Sequence, residues 1–173
     1  MRRNTISLAV LAVLAAGVIV AGCSKSDDSA VATTTTSSKP TSGGKDMTEE
    51  ITKRGKPEVD VPSAPATALK VTDIIEGTGD AVQPTDSVTV HYVGVGQATG
   101  KEFDSSWSRG QTISFPLNGV IQGWSEGLVG MKVGGRRELV IPGDMAYGAN
   151  PPGGAGIQPN ETLVFVVDLA KIN

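Results

Sequence analysis

Few side chains in this sequence could make or break bonds, and they form no recognisable constellation. Cys23 is the sole cysteine and His91 the sole histidine. That excludes an internal disulfide and a His-rich metal site. No Ser–His–Asp order, metal-ligand spacing or Walker sequence occurs, and no Gly-x-Gly-x-x-Gly opens a helix after a strand. The remaining candidates bind rather than react. Taken singly, Trp124, Phe103 and Phe165 read as core residues. Tyr147, after Asp144, reads as closing a turn, and Asp104, before Ser105-Ser106, as capping one. Arg136-Arg137 reads as a solvated strand end, and His91 as a strand residue facing away from any pocket.

The elements that must position these residues have a period of two. Val88, Val90 and Tyr92 point one way and Thr89, His91 and Val93 the other. Leu163, Phe165, Val167 and Leu169 share a face opposite Val164, Val166 and Asp168, and Leu139 and Ile141 repeat the pattern after the arginine pair. Stretches 69–75 and 112–117 are further strands. Glycine-rich punctuation at Gly77-Thr78-Gly79, Gly134-Gly135 and Pro151-Pro152-Gly153-Gly154 separates them. One segment breaks the rule: Val120, Trp124, Leu128 and Met131 recur at helical spacing, so 122–129 reads as a short amphipathic helix. The fold class expected is α+β, an antiparallel sheet packed on one short helix.

Composition divides the 173 residues into three parts. Residues 1–22 carry Arg2 and Arg3 and then an apolar run, the pattern of a secretory signal peptide. Residues 23–54 are rich in Ser, Thr, Lys and Asp and hold too little apolar surface to offset ordering entropy, so a disordered tether of about 30 Å r.m.s. span is expected. Residues 55–173 are enough for one domain with a hydrophobic core. Pro57 to Pro62 alternates apolar and acidic residues and could add an edge strand. Net charge is −3, and loss of residues 1–22 with their two arginines would leave −3 − 2 = −5. With no basic stripe, nucleic acid is not the expected partner.

The first part ends in Val20-Ala21-Gly22-Cys23, which resembles the lipobox of bacterial lipoproteins, with Val20 where Leu is usual. There the cysteine thiol receives a diacylglycerol and cleavage leaves that cysteine first. A plain transmembrane anchor is the alternative, but the run is about 15–17 residues against the roughly 20 that span a bilayer. Lipidation at Cys23 and an extracytoplasmic, membrane-anchored protein are therefore expected, since two acyl chains anchor firmly where one does not.

Six blocks resemble, in order and spacing, the FKBP family of peptidyl-prolyl cis–trans isomerases over roughly residues 66–172. They include Val90-His91-Tyr92-Val93-Gly94, Gly100-Lys101-Glu102-Phe103-Asp104-Ser105-Ser106 and Val120-Ile121-Gln122-Gly123-Trp124-Ser125-Glu126-Gly127-Leu128. Met131-Lys132-Val133-Gly134-Gly135-Arg136-Arg137, Ile141-Pro142-Gly143-Asp144-Met145-Ala146-Tyr147-Gly148 and Thr162-Leu163-Val164-Phe165 complete the set. The resemblance implies an antiparallel sheet curled around a short helix, which agrees with the pattern read independently. It also implies an apolar pocket with Trp124 as floor and Tyr92, Phe103, Val120, Ile121, Ile157 and Phe165 as walls. In it the Tyr147 hydroxyl and the Ile121 backbone N–H bind substrate carbonyls, Asp104 sits at the rim, and Arg109 pairs with Asp104 and Tyr92. Ile113 stands where the family often has an aromatic wall, and the connection 116–119 is short, which would weaken macrolide binding.

What the resemblance implies in function is a foldase for exported proteins with slow X–Pro bonds, acting as a monomer without cofactor or metal. Two other readings stay open from the residues alone: a non-catalytic module docking a proline-containing partner, and a structural surface lipoprotein. Retention of Tyr147, Asp104 and Trp124 favours the enzyme. The segment 150–160 is too short for the inserted chaperone domain of some relatives.

Overall fold

The computed structural model describes residues 45–173. The expected signal peptide, Cys23 and residues 24–44 of the expected tether lie outside the described residues.

Six antiparallel strands form one sheet: β1 (Lys70–Ile75), β2 (Ser87–Gly96), β3 (Glu102–Ser105), β4 (Ile113–Pro116), β5 (Arg136–Ile141) and β6 (Leu163–Ile172). The order is β1-β5-β6-β2-β3, and β4 also pairs with β2. β3 pairs with β2 at Val93 to Val95, and β4 at Ser87 to Val90. The alternation in the sequence sets the faces. Val88, Val90, Tyr92, Leu139, Ile141, Leu163, Phe165 and Val167 point inward and belong to the buried core.

Helix α2 (Gln122–Gly127) closes the inner face. Trp124 is 4% exposed, and Leu128, just beyond the helix, is 1% exposed. The approach to β5 is close: a Cβ on Gly123 would lie 2.3 Å from Ile141 Cγ2, so only glycine fits there. Arg137 donates from Nη1 to the carbonyls of Gly127 (2.9 Å) and Val129 (3.2 Å), filling acceptors that the helix end leaves open. Its Nε and Nη2 reach Asp73 of β1. Arg136 and Arg137 are both buried, so the expected solvated strand end is corrected: each guanidinium is held by a carboxylate, with one backbone carbonyl on Arg136 and two on Arg137.

The outer face is covered too. Val93, Val95, Val140, Val164, Val166, Asp168 and Ala170 are all buried, although the inner core does not touch that side. An N-terminal layer lies over them. Helix α1 (Thr48–Arg54) packs on β6 with Ile51 wholly buried, and the Met47 N–H donates to Ala170 O at 3.0 Å. The chain then crosses the sheet. Gly55 O accepts from Arg136 Nη2 (2.7 Å), Pro62 O from Gln97 Nε2 (3.0 Å), and the Ala66 N–H donates to Thr162 Oγ1 (2.9 Å). The tether expected to reach Arg54 is therefore corrected over residues 45–54, which belong to the folded body. A seven-residue helix has no stability of its own and forms only when packed, so composition concealed it. Residues 57–62 are a strap over the outer face and not the extra edge strand.

Candidate active site

Between the inner face and α2 lies a cavity of about 270 Å³. β2 supplies Tyr92, β3 supplies Phe103 and Asp104, β4 supplies Phe115 and β6 supplies Phe165. Gly119, Val120 and Ile121 line it ahead of α2, Trp124 from the helix itself, and Tyr147 from the segment after β5.

Trp124 sits at the centre of a ring of edge-on aromatics. Its centroid lies 5.4 Å from Tyr92, 5.6 Å from Phe115 and 5.3 Å from Phe165, all near perpendicular. Such pairs hold their geometry by quadrupole attraction as well as by area. Phe103 stands edge-on to Phe165 at 5.6 Å. Room for these two rings comes from Gly94 on β2, where a Cβ would meet Phe103 Cζ at 2.7 Å and Phe165 Cε1 at 2.8 Å.

The polar side of the cavity is a triangle. Arg109 donates from Nη1 to Asp104 Oδ1 (2.6 Å) and from Nη2 to the Tyr92 hydroxyl (2.9 Å), and that hydroxyl donates to Asp104 Oδ2. Behind it, Ser106 Oγ accepts the Tyr92 N–H at 2.8 Å and lies 2.9 Å from His91 Nδ1, while the His91 ring stacks on Trp107 at 4.1 Å. Ile121 caps α2, its carbonyl accepting from Trp124 N and Ser125 N. Tyr147 is 37% exposed, at the mouth.

The fold and cavity have counterparts among known proteins. The profile of the FKBP-type peptidyl-prolyl cis-trans isomerase family matches residues 79–170. A probable FK506-binding protein of Corynebacterium glutamicum is 55% identical over 115 residues, 66% of this chain and 96% of that protein. An FK506-binding protein of Streptomyces anulatus is 52% identical over 120 residues, 68% of this chain and 97% of that one. The crystal structure of FkpA from Escherichia coli superposes with a TM-score of 0.57 at 41% identity, covering 72% of this chain and 57% of that one. The chain belongs to the FKBP-type peptidyl-prolyl cis–trans isomerases. It is an isomerase of X–Pro peptide bonds.

Nine of the residues singled out in the sequence meet at this isomerase's cavity or its polar triangle: Tyr92, Phe103, Asp104, Arg109, Val120, Ile121, Trp124, Tyr147 and Phe165. Two do not line it. Ile113 and Ile157 pack against the core from outside the cavity. Phe115 takes the wall position instead. On β4 it lies opposite Val88 of β2, and Ile113 lies opposite Val90. Both face inward, so strand alternation alone could have named Phe115. His91 faces away from the cavity, yet it is buried and tied through Ser106 to Tyr92.

The charges are arranged to stay as they are. Burial alone would raise the Asp104 carboxyl, but hydrogen bonds from Tyr92 and Arg109, with the Arg109 charge, hold it below its ordinary value. Burial, with the hydrogen bond to Asp104, pushes the Tyr92 phenol up to about 12. Burial, then the nearby Asp104 charge, raises Tyr147 as well. The isomerase therefore presents an ionised carboxylate and two neutral phenols near neutral pH. Neither phenol is a base there, and the carboxylate is engaged twice.

Proposed function

We propose that this isomerase accelerates X–Pro rotation in exported polypeptides by binding the twisted amide in the Trp124 cavity, with no covalent or acid–base step. The observation that carries the reading is the cavity itself: aromatic walls and floor, with a neutral hydroxyl at the mouth. Amide resonance sets the uncatalysed barrier at about 18–20 kcal/mol. Rotation removes that resonance and lessens charge separation. A water-poor apolar site therefore favours the twisted state over the planar one, which is differential binding of the transition state. The proline ring is apolar and suits the aromatic walls. The Tyr147 hydroxyl and the Ile121 N–H would hold the flanking carbonyls while the bond turns. Asp104, fixed by Arg109 and Tyr92, would bound the rim.

The location rests on the sequence. Arg2-Arg3, the apolar run and Val20-Ala21-Gly22-Cys23 support export, lipidation at Cys23 and anchoring at the extracytoplasmic membrane face. Exported polypeptides with slow X–Pro bonds are then the clients of a monomeric enzyme. Relatives named FK506-binding proteins support a macrolide as a second ligand of the same cavity.

The test is isomerisation of short X–Pro peptides by the full chain, with Trp124→Ala and Phe103→Ala as pocket variants. Loss of activity in both, with the fold intact by circular dichroism, is expected. Full activity in both would move the site elsewhere. Palmitate labelling of the full chain, abolished by Cys23→Ala, tests the anchor. Undiminished labelling of that variant would remove it.

A further inference from the structure

Outside the cavity, one buried carboxylate with no role in the mechanism above is held by main-chain donors. Glu161 stands just before β6 and is 7% exposed. It makes no ion pair among the described residues, and each of its oxygens accepts one main-chain N–H. Oε1 takes Ala98 N at 3.0 Å and Oε2 takes Gln158 N at 2.7 Å. Burying a carboxylate is unfavourable unless its lone pairs are met. Hydrogen bonds to a charged acceptor are about twice as strong as neutral ones, so the two donors are held firmly.

Those donors belong to two different segments that each contribute lining residues to the pocket. Ala98 is in the turn between β2 and β3, the hairpin that carries Tyr92 on one strand and Phe103 and Asp104 on the other. Gln158 is at the far end of the 143–160 segment, which carries Tyr147 and Ile157. The base of that segment is closed by Asn160 N to Gly148 O at 2.7 Å and Gly148 N to Gly143 O at 2.7 Å. Gln97 N to Thr162 O, 3.0 Å, adds a parallel tie from the hairpin turn to the residue after Glu161. One carboxylate thus spans the hairpin and the Tyr147 segment, which are far apart in sequence.

We infer that Glu161 is a positioning residue for the isomerase: its carboxylate ties the β2–β3 turn to the Tyr147 segment and so sets the width of the pocket mouth. The inference rests on the Trp124 cavity being the isomerase site. A wider mouth loosens the grip on planar and twisted amide alike, so the effect falls on KM more than on kcat.

The experiment measures kcat and KM for an X–Pro peptide with full-length Glu161→Ala and Glu161→Gln, at a temperature where circular dichroism shows each fully folded. Amide hydrogen exchange at Ala98 and Gln158 is followed alongside. Glu161→Ala loses both acceptors, and a KM raised roughly three- to tenfold with kcat within about twofold is expected. Glu161→Gln keeps the shape and one acceptor oxygen, so it should fall between Glu161→Ala and wild type. Exchange at both amides should speed up. If Glu161→Ala does not fold, Glu161→Gln carries the test alone, with a smaller rise in KM. Wild-type KM in folded variants overturns the inference. So does a loss of kcat that follows thermal stability with KM unchanged, which would make the residue structural only. Trp124→Ala and Phe103→Ala separate the two assumptions: if both keep full activity, the cavity assignment has failed rather than the role of Glu161.

Discussion

Arg54, on the N-terminal helix, donates from Nη1 to Asp168 on β6 at 2.9 Å, across 114 residues of sequence. Asp168 is wholly buried and also takes two bonds from Arg136, both at 2.9 Å. Arg54 adds a bond to Gly134 O at 2.9 Å. The outer layer is thus latched to the sheet by a carboxylate between two guanidinium groups. Arg54→Ala should cost about 1–2 kcal/mol in urea titration, since its side chain keeps partial solvent access and Arg136 stays behind. Asp168→Ala strands the buried Arg136 and should cost about 3–5 kcal/mol. The isomerisation rate per folded molecule should stay the same for Arg54→Ala. Equal stability of Arg54→Ala and wild type would show that the latch contributes nothing.

Asp104 is held below its ordinary value and Tyr147 above its own, so neither changes charge near neutrality. The rate per enzyme should be flat from about pH 6.5 to 8.5, because reference values near 3.9 and 10 are pushed further apart. Tyr147→Phe removes one hydrogen bond and should lower kcat/KM by roughly two- to tenfold. A bell-shaped profile inside that window, or a thousandfold loss from Tyr147→Phe, would point to a proton transfer and defeat the mechanism.

Burial lowers His91 below its usual 6.5, opposed by the Asp168 charge that faces it from β6. Arg54 and Arg136 sit on that same carboxylate. Between the lowered value and 6.5, the unfolded chain holds a proton that the folded chain lacks. Stability is therefore complete above pH 6.5 and falls as pH drops through the folded value. His91→Gln, which does not titrate there, should flatten the melting temperature measured from pH 7.5 down to 5.5 relative to wild type. Parallel curves for the two proteins would show that another group governs acid sensitivity.

Phe115 lines the cavity and stands edge-on to Trp124, whereas Ile113 only packs against the core. Phe115→Ala should weaken both peptide and macrolide binding, losing an aromatic pair worth about 0.5–1.5 kcal/mol beyond burial. Ile113→Val removes one methylene outside the cavity and should leave binding within about twofold, with a stability loss of about 0.5–1.5 kcal/mol. Titration of both variants with a macrolide checks the order; the reverse order would put the wall at Ile113.

Strand alternation in the sequence determines most of this fold. The inward sets on β2, β5 and β6 follow from a period of two, and α2 follows from the spacing of Trp124 and Leu128, because these signals couple neighbours within four residues. The motif order carried the family, and with it most of the pocket. Tertiary structure decided what depends on contacts between distant segments. Arg136 and Arg137 read as solvated until their partners on β6, β1 and α2 are in place. Residues 48–54 read as tether because Ile51 and Arg54 have nothing to bind until the outer face of the sheet exists. Nothing in the sequence marks Glu161, since its two donors come together only when the β2–β3 turn and the Tyr147 segment close on one another. A periodic pattern fixes which way a side chain points. It carries no information about which distant group will be there to meet it.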